Sequence, residues 1–129
     1  MDDLAAYAVH YVKELKSGDR ENAYFRLIEA EHTIAPILIE PFHSEQDPDI
    51  RSELVAIVWQ HRLPETIEFL AQALDDHSSE VWENALDGLV AIGGKAAIRV
   101  LESARRRSEH DAQRGEWIDE AIEQVGQPH

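Results

Sequence analysis

A chain of 129 residues with 43% apolar and 29% charged side chains has room for one hydrophobic core and reads as globular rather than disordered. It contains no cysteine, which excludes a disulfide framework and thiolate metal sites. The net charge of −14 repels phosphate backbones and anionic lipid surfaces, so nucleic acid and membrane are not the expected partners, and a basic protein is.

In chain order, the acidic start Met1-Asp2-Asp3-Leu4 lacks the cationic and apolar regions of a secretory leader, and no apolar run approaches the ~20 residues that span a bilayer. A cytoplasmic location is the expectation. Leu4, Tyr7, Ala8, Tyr11, Val12 and Leu15 share one helical face, predicting an N-terminal capping helix over 1–17 that stops near Gly18. Ala23 and Leu27 lie on a second helix. Ile34 and Ile37 lie on a third, with Pro36 in its first turn and Pro41 expected to end it. Asp47-Pro48 is a helix start, because Asp accepts an orphan N–H at the N-cap and Pro loses nothing at N1. From there Ile50, Leu54, Ile57, Val58 and His61 follow one face. Pro64 opens the next helix. A further helix over 81–92 ends at Gly93-Gly94, where glycine can adopt the left-handed conformation. The last helix carries Ile118, Ile122 and Val125 and stops at Gly126, leaving 127–129 as a loose tail.

These helices repeat. Shifted by 31 residues, 47–74 falls on 78–105, and apolar side chains coincide at Ile50/Val81, Leu54/Ala85, Val55/Leu86, Val58/Leu89, Trp59/Val90, Ile67/Ile98, Phe69/Val100, Leu70/Leu101 and Ala73/Ala104. The turns align as well as the helices. A second apolar stripe, Val55 and Trp59 and then Leu86 and Val90, lies opposite the first, as a helix buried between neighbours requires. The expected fold is all-α: a short α-solenoid of helix pairs, about eight helices in one domain over 1–129, with repeats from 19 to 126. A plain helical bundle is the alternative that also buries two stripes.

The pattern Asp47-Pro48-Asp49-Ile50-Arg51, then Ala56, Pro64-Glu65, Ile67, Leu70 and Leu74, resembles the HEAT-like repeats, and this resemblance implies an α-solenoid. The following unit departs from it, with Trp82 at the position of Arg51. The stretches Glu80-Val81-Trp82-Glu83-Asn84-Ala85-Leu86-Asp87-Gly88-Leu89 and Gly115-Glu116-Trp117-Ile118-Asp119-Glu120-Ala121-Ile122 are similar to small bacterial HEAT-like proteins, some of which act as immunity proteins in toxin systems.

Chemistry is sparse. There is no His-Glu-x-x-His, Gly-x-Ser-x-Gly or phosphate-binding loop. His43, His77 and His110 recur at successive turns, but equivalent atoms of stacked helix pairs stand roughly 10 Å apart, too far to share a metal. Carboxylate pairs such as Asp75-Asp76 come with any acidic surface and do not by themselves point to acid–base work. Arg99, Arg105, Arg106 and Arg107 gather where cations complement a helix C-terminus. No enzyme activity, cofactor or metal is expected.

In repeat register Glu21, Ser52, Glu83 and Glu116 are equivalent, as are Phe25, Ala56, Asp87 and Glu120. Stacking would align Glu83, Asp87, Glu116 and Glu120 into one negative surface with Trp82 and Trp117 at its margins, the composition of a binding hot spot. A solvated outer face with half-buried tryptophans is the bland alternative. The leading functional expectation, from the resemblance and the charge, is an immunity-type inhibitor binding a basic toxin domain through Trp82, Glu83, Asp87, Glu116, Trp117 and Glu120, as a monomer. A general adaptor holding a peptide or subunit in a concave groove is the alternative, followed by a lyase-like enzyme or small-molecule chaperone.

Overall fold

The computed structural model describes residues 3–126; the expected loose tail 127–129 and the first two residues lie outside the described residues. Among the described residues the chain is helical, without strands. The helices are α1 (Asp3–Ser17), α2 (Arg20–Glu29), α3 (Ile34–Ile37), α4 (Ile39–Ser44), α5 (Pro48–Gln60), a 3-10 turn (Pro64–Thr66), α6 (Ile67–Ala73), α7 (Ser79–Ile92), α8 (Gly94–Arg107) and α9 (Ala112–Gly126).

Acidic turns precede α2, α5, α7 and α9. Asp19 accepts from the Asn22 N–H at 3.1 Å and Asp47 from the Asp49 N–H at 2.9 Å, with Pro48 at N1. Asp76 takes the Ser78 N–H ahead of α7, and Asp111 takes the Arg114 N–H at the front of α9. Gly93, with φ of +66°, ends α7 as the sequence indicates, and α8 begins on the next residue. Pro64 opens its helix through the 3-10 turn.

Pro41 does not end a helix. The chain makes a fresh start at Ile39 after the Leu38 break, so Pro41 sits in the first turn of α4, where its missing N–H has no intrahelical acceptor to lose. Helix α4 runs on to Ser44. With α3 and α4 counted as one interrupted rod, the described residues form eight.

The rods stack in pairs as a short solenoid. Helices α2, α5, α7 and α9 pack side by side in one layer, α5 most extensively on α7. In the second layer α6 packs on α8, and Phe42 of α4 meets Phe69 of α6 edge-on at 5.0 Å. Helix α1 lies on α2 and α3, and Lys16 at its end pairs with Glu45 at 3.0 Å. Most of the matched apolar positions lie in the core, Ile98 being an exception. Ile50, Leu54, Val55, Ile57, Val58, Leu70, Val81, Ala85, Leu89 and Leu101 are almost fully buried, each large one contributing ~1.5–3 kcal/mol of burial. Both stripes are used: Val55 and Leu86 are buried, and Trp59 and Val90 are half-buried against the core.

Helices α5 and α7 approach each other closely at Gly88. A Cβ added at Gly88 would stand 2.5 Å from Trp59 Cβ, so only glycine fits at that crossing.

Candidate protein-docking face

Each turn between pairs leaves helix-end carbonyls that need donors. In the first central repeat Arg51 supplies them. Its Nη1 donates to the carbonyls of Phe42 at 3.2 Å and Glu45 at 3.1 Å, its guanidinium lies 4.2 Å from the Phe42 ring centroid, and Nη2 pairs with Asp76.

In the next repeat Trp82 stands where that arginine would be, and an indole cannot fork across two carbonyls. The missing donor comes from the next repeat. Arg114 of α9 donates to Leu74 O at 3.2 Å and Asp76 O at 2.6 Å, with its guanidinium 4.9 Å from the Trp82 ring centroid. Trp82 is thereby buried, at 5% exposure, and the expectation that it rims an open surface is corrected. It serves as a platform. Trp117 stands on it, edge to face at 5.6 Å, and remains 40% exposed.

The acidic residues divide between two neighbouring helices. Glu83 is half-buried and Asp87 exposed on α7, while Glu116 and Glu120 are exposed on α9, on either side of Trp117 in sequence. Protein mass crowding the Asp87 carboxyl pushes its pKa upward. The ladder does not run the length of the stack. Ser52 and Ala56, the equivalents of Glu83 and Asp87, are buried. Ser52 Oγ accepts from Asn84 Nδ2 of α7 at 2.7 Å, so in that repeat these small residues carry the helix–helix contact.

A model of HEAT repeats matches residues 35–121, more than half of the 129-residue chain. The chain belongs to the HEAT-repeat family. Searches of curated proteins and of solved structures gave no match. The arginine exchange between repeats is thus a local departure inside a HEAT stack, and it falls where two tryptophans come together.

Elsewhere this HEAT stack is chemically quiet. Among the described residues no group of three or more His, Asp or Glu could hold a metal ion, and no helix is long and apolar enough to cross a membrane. His43, near the end of α4, and His77 and His110, between helices, are exposed. Two of the four clustered arginines are engaged. Arg105 pairs with Asp119 at 2.9 Å and packs over Gly115, and Arg107 pairs with Asp75 at 3.3 Å. A groove of about 390 Å³ at the other end of the layer is lined by Arg20, Glu21, Tyr24, Phe25 and Glu53, with Phe25 51% exposed. Burial raises the Glu53 pKa, Arg20 opposing and Asp49 adding to the rise.

Sequence reasoning did not find Arg114 or the pairing of His61 with His32. Both depend on contacts between residues 29 or more positions apart, and no local motif marks them.

Proposed function

We propose that this HEAT-repeat chain is a non-enzymatic protein-binding module that docks a basic partner on the α7–α9 face. The observation that carries the proposal is Trp117, an exposed indole braced by Trp82, on whose ring Arg114 lies, and flanked in sequence by Glu116 and Glu120. An aromatic anchor fixed before binding loses little side-chain entropy on contact, and tryptophan is enriched among residues that dominate binding energy. The surrounding carboxylates and the charge of −14 favour a cationic surface and speed its encounter.

The finer reading is an immunity-type inhibitor. A toxin that acts on a polyanion presents a basic active-site surface, and an acidic face around an indole plug would occupy it. The HEAT fold gives this chain a scaffold for such a surface. The test is capture of the partner by the immobilised protein at low and high salt, using wild type, Trp117→Ala and the double variant Glu116→Gln/Glu120→Gln. The expected partner is basic, elutes with salt, loses about tenfold or more in affinity for each variant, and loses its own activity when bound. A partner retained equally by all three proteins at every salt concentration refutes this face. A partner that stays active when bound supports docking and refutes inhibition.

A further inference from the structure

His61 caps the C-terminus of α5 and is only 5% exposed. Its Nε2 lies 2.9 Å from the carbonyl oxygen of Leu27 in α2, and a carbonyl can only accept, so Nε2 carries a proton. Its Nδ1 lies 3.0 Å from Nδ1 of His32, in the turn between α2 and α3, with the two rings crossed at 81°. Neutral His61 therefore presents a lone pair at Nδ1, and His32 donates to it from its own Nδ1–H. The pair ties the end of α5 to α2 and to the turn that follows α2.

One proton fills the Nδ1–Nδ1 contact. A charge on His32 leaves that bond intact, because the second proton sits on its outer Nε2. A proton on His61 Nδ1 while His32 is charged sets N–H against N–H at 3.0 Å and leaves a buried cation beside another cation.

We propose that the His32–His61 pair is an acid-released clasp between the N-terminal end of the stack, α1 to α3, and the central repeats. Among the described residues no carboxylate is ion-paired with either ring, so only solvent at the exposed His32 offsets the doubly charged state. Helix α3 contains no titratable side chain. On α2, Glu21, Arg26 and Glu29 are exposed and Tyr24 is half-buried, its hydroxyl engaged with Gln60. Glu31, Arg62 and Glu65 beside the pair in sequence are exposed, and the charged residues of α5, Asp49, Arg51 and Glu53, sit at its opposite end. Burial is the first cause that lowers the His61 pKa below 6.5, the Leu27 bond opposes it, and His32 lowers it further. The unfolded chain thus takes this proton first. The clasp's stability is present above about pH 6.5 and is lost as pH falls toward the folded pKa.

Two measurements on the intact protein test the clasp. Imidazole nitrogen NMR at pH 7.5 should show His61 protonated at Nε2 alone and His32 protonated at Nδ1, the less common neutral form. Amide hydrogen exchange, expressed as protection factors, should show α2 and α3 losing about tenfold more protection than α8 between pH 7.5 and pH 5.0. His61→Gln keeps a donor for Leu27 and cannot become charged, so this regional loss should vanish in it. The proposal is overturned by the opposite tautomers at pH 7.5, by uniform loss of protection along the wild-type stack, or by the same regional loss in His61→Gln. The tautomer result decides the question even if that variant folds poorly.

Discussion

Substituting Gly88 by alanine opposes two effects of known sign. In a helix interior alanine is favoured over glycine by ~1 kcal/mol, so on propensity alone Gly88→Ala would stabilise α7. The new methyl, however, would stand 2.5 Å from Trp59 Cβ, 2.8 Å from Trp59 Cγ and 3.1 Å from a Leu70 methyl. Trp59 Cβ is fixed to the α5 backbone, so no rotamer change relieves the contact and the two helices must separate. Overpacking of this kind costs ~1–3 kcal/mol, and a contact with an immovable atom belongs at the upper end. The net expectation is a loss of ~2 kcal/mol, or a fall in Tm of ~6–10 °C for a domain of this size. Urea unfolding and thermal melts of Gly88→Ala beside wild type measure it. Gly126→Ala is the control, since its Cβ would meet nothing within 4 Å, and it should be neutral or slightly stabilising. A Gly88→Ala protein as stable as wild type would refute the α5–α7 crossing and the repeat stacking built on it.

Three further outcomes follow from the same geometry. Arg114→Ala removes both donors to Leu74 and Asp76 and uncovers Trp82; it should cost ~2–3 kcal/mol in chemical denaturation, with Arg114→Lys recovering only part because an ammonium lacks the planar fork and the flat face that lies on Trp82. Trp117→Ala should lower stability by ~1–3 kcal/mol in the same assay, since its side chain is only 40% exposed and packs on Trp82, so its binding is compared with wild type under conditions where both remain fully folded. Glu53→Gln should raise Tm at pH 7, because burial raises the Glu53 pKa in the fold and the ionised carboxylate is disfavoured there. That gain should shrink as pH falls through the folded pKa, where wild-type Glu53 takes up its proton; a gain independent of pH would contradict the assignment.

The fold was legible because its determinants are local or periodic. A 31-residue self-match, Asp-Pro at a helix start and Gly-Gly at a helix end are each visible in one window of sequence, and each marks the element it predicts. Pro41 misled because proline breaks a helix only when its N–H would have had a partner, and the break at Leu38 moved it into a first turn. The acidic ladder was drawn from repeat register and helical angle, without the size of the intervening side chains. Ser52 and Ala56 are small residues that admit a neighbouring helix, and their size was the available sign that the face closes there. Trp82 lay beyond reach for a different reason. Its burial requires Arg114, which arrives from the next repeat to replace an arginine that Trp82 itself displaced. The exchange at position 82 was visible in the sequence; the compensation for it was not.

Docking on the α7–α9 face is tested most directly by a hydrogen-exchange footprint of the protein with its captured partner bound. New protection should concentrate on α7 and α9 around Trp82, Asp87 and Trp117, and should be abolished in Trp117→Ala. Protection confined to α1–α4 or to the α6–α8 layer would contradict it.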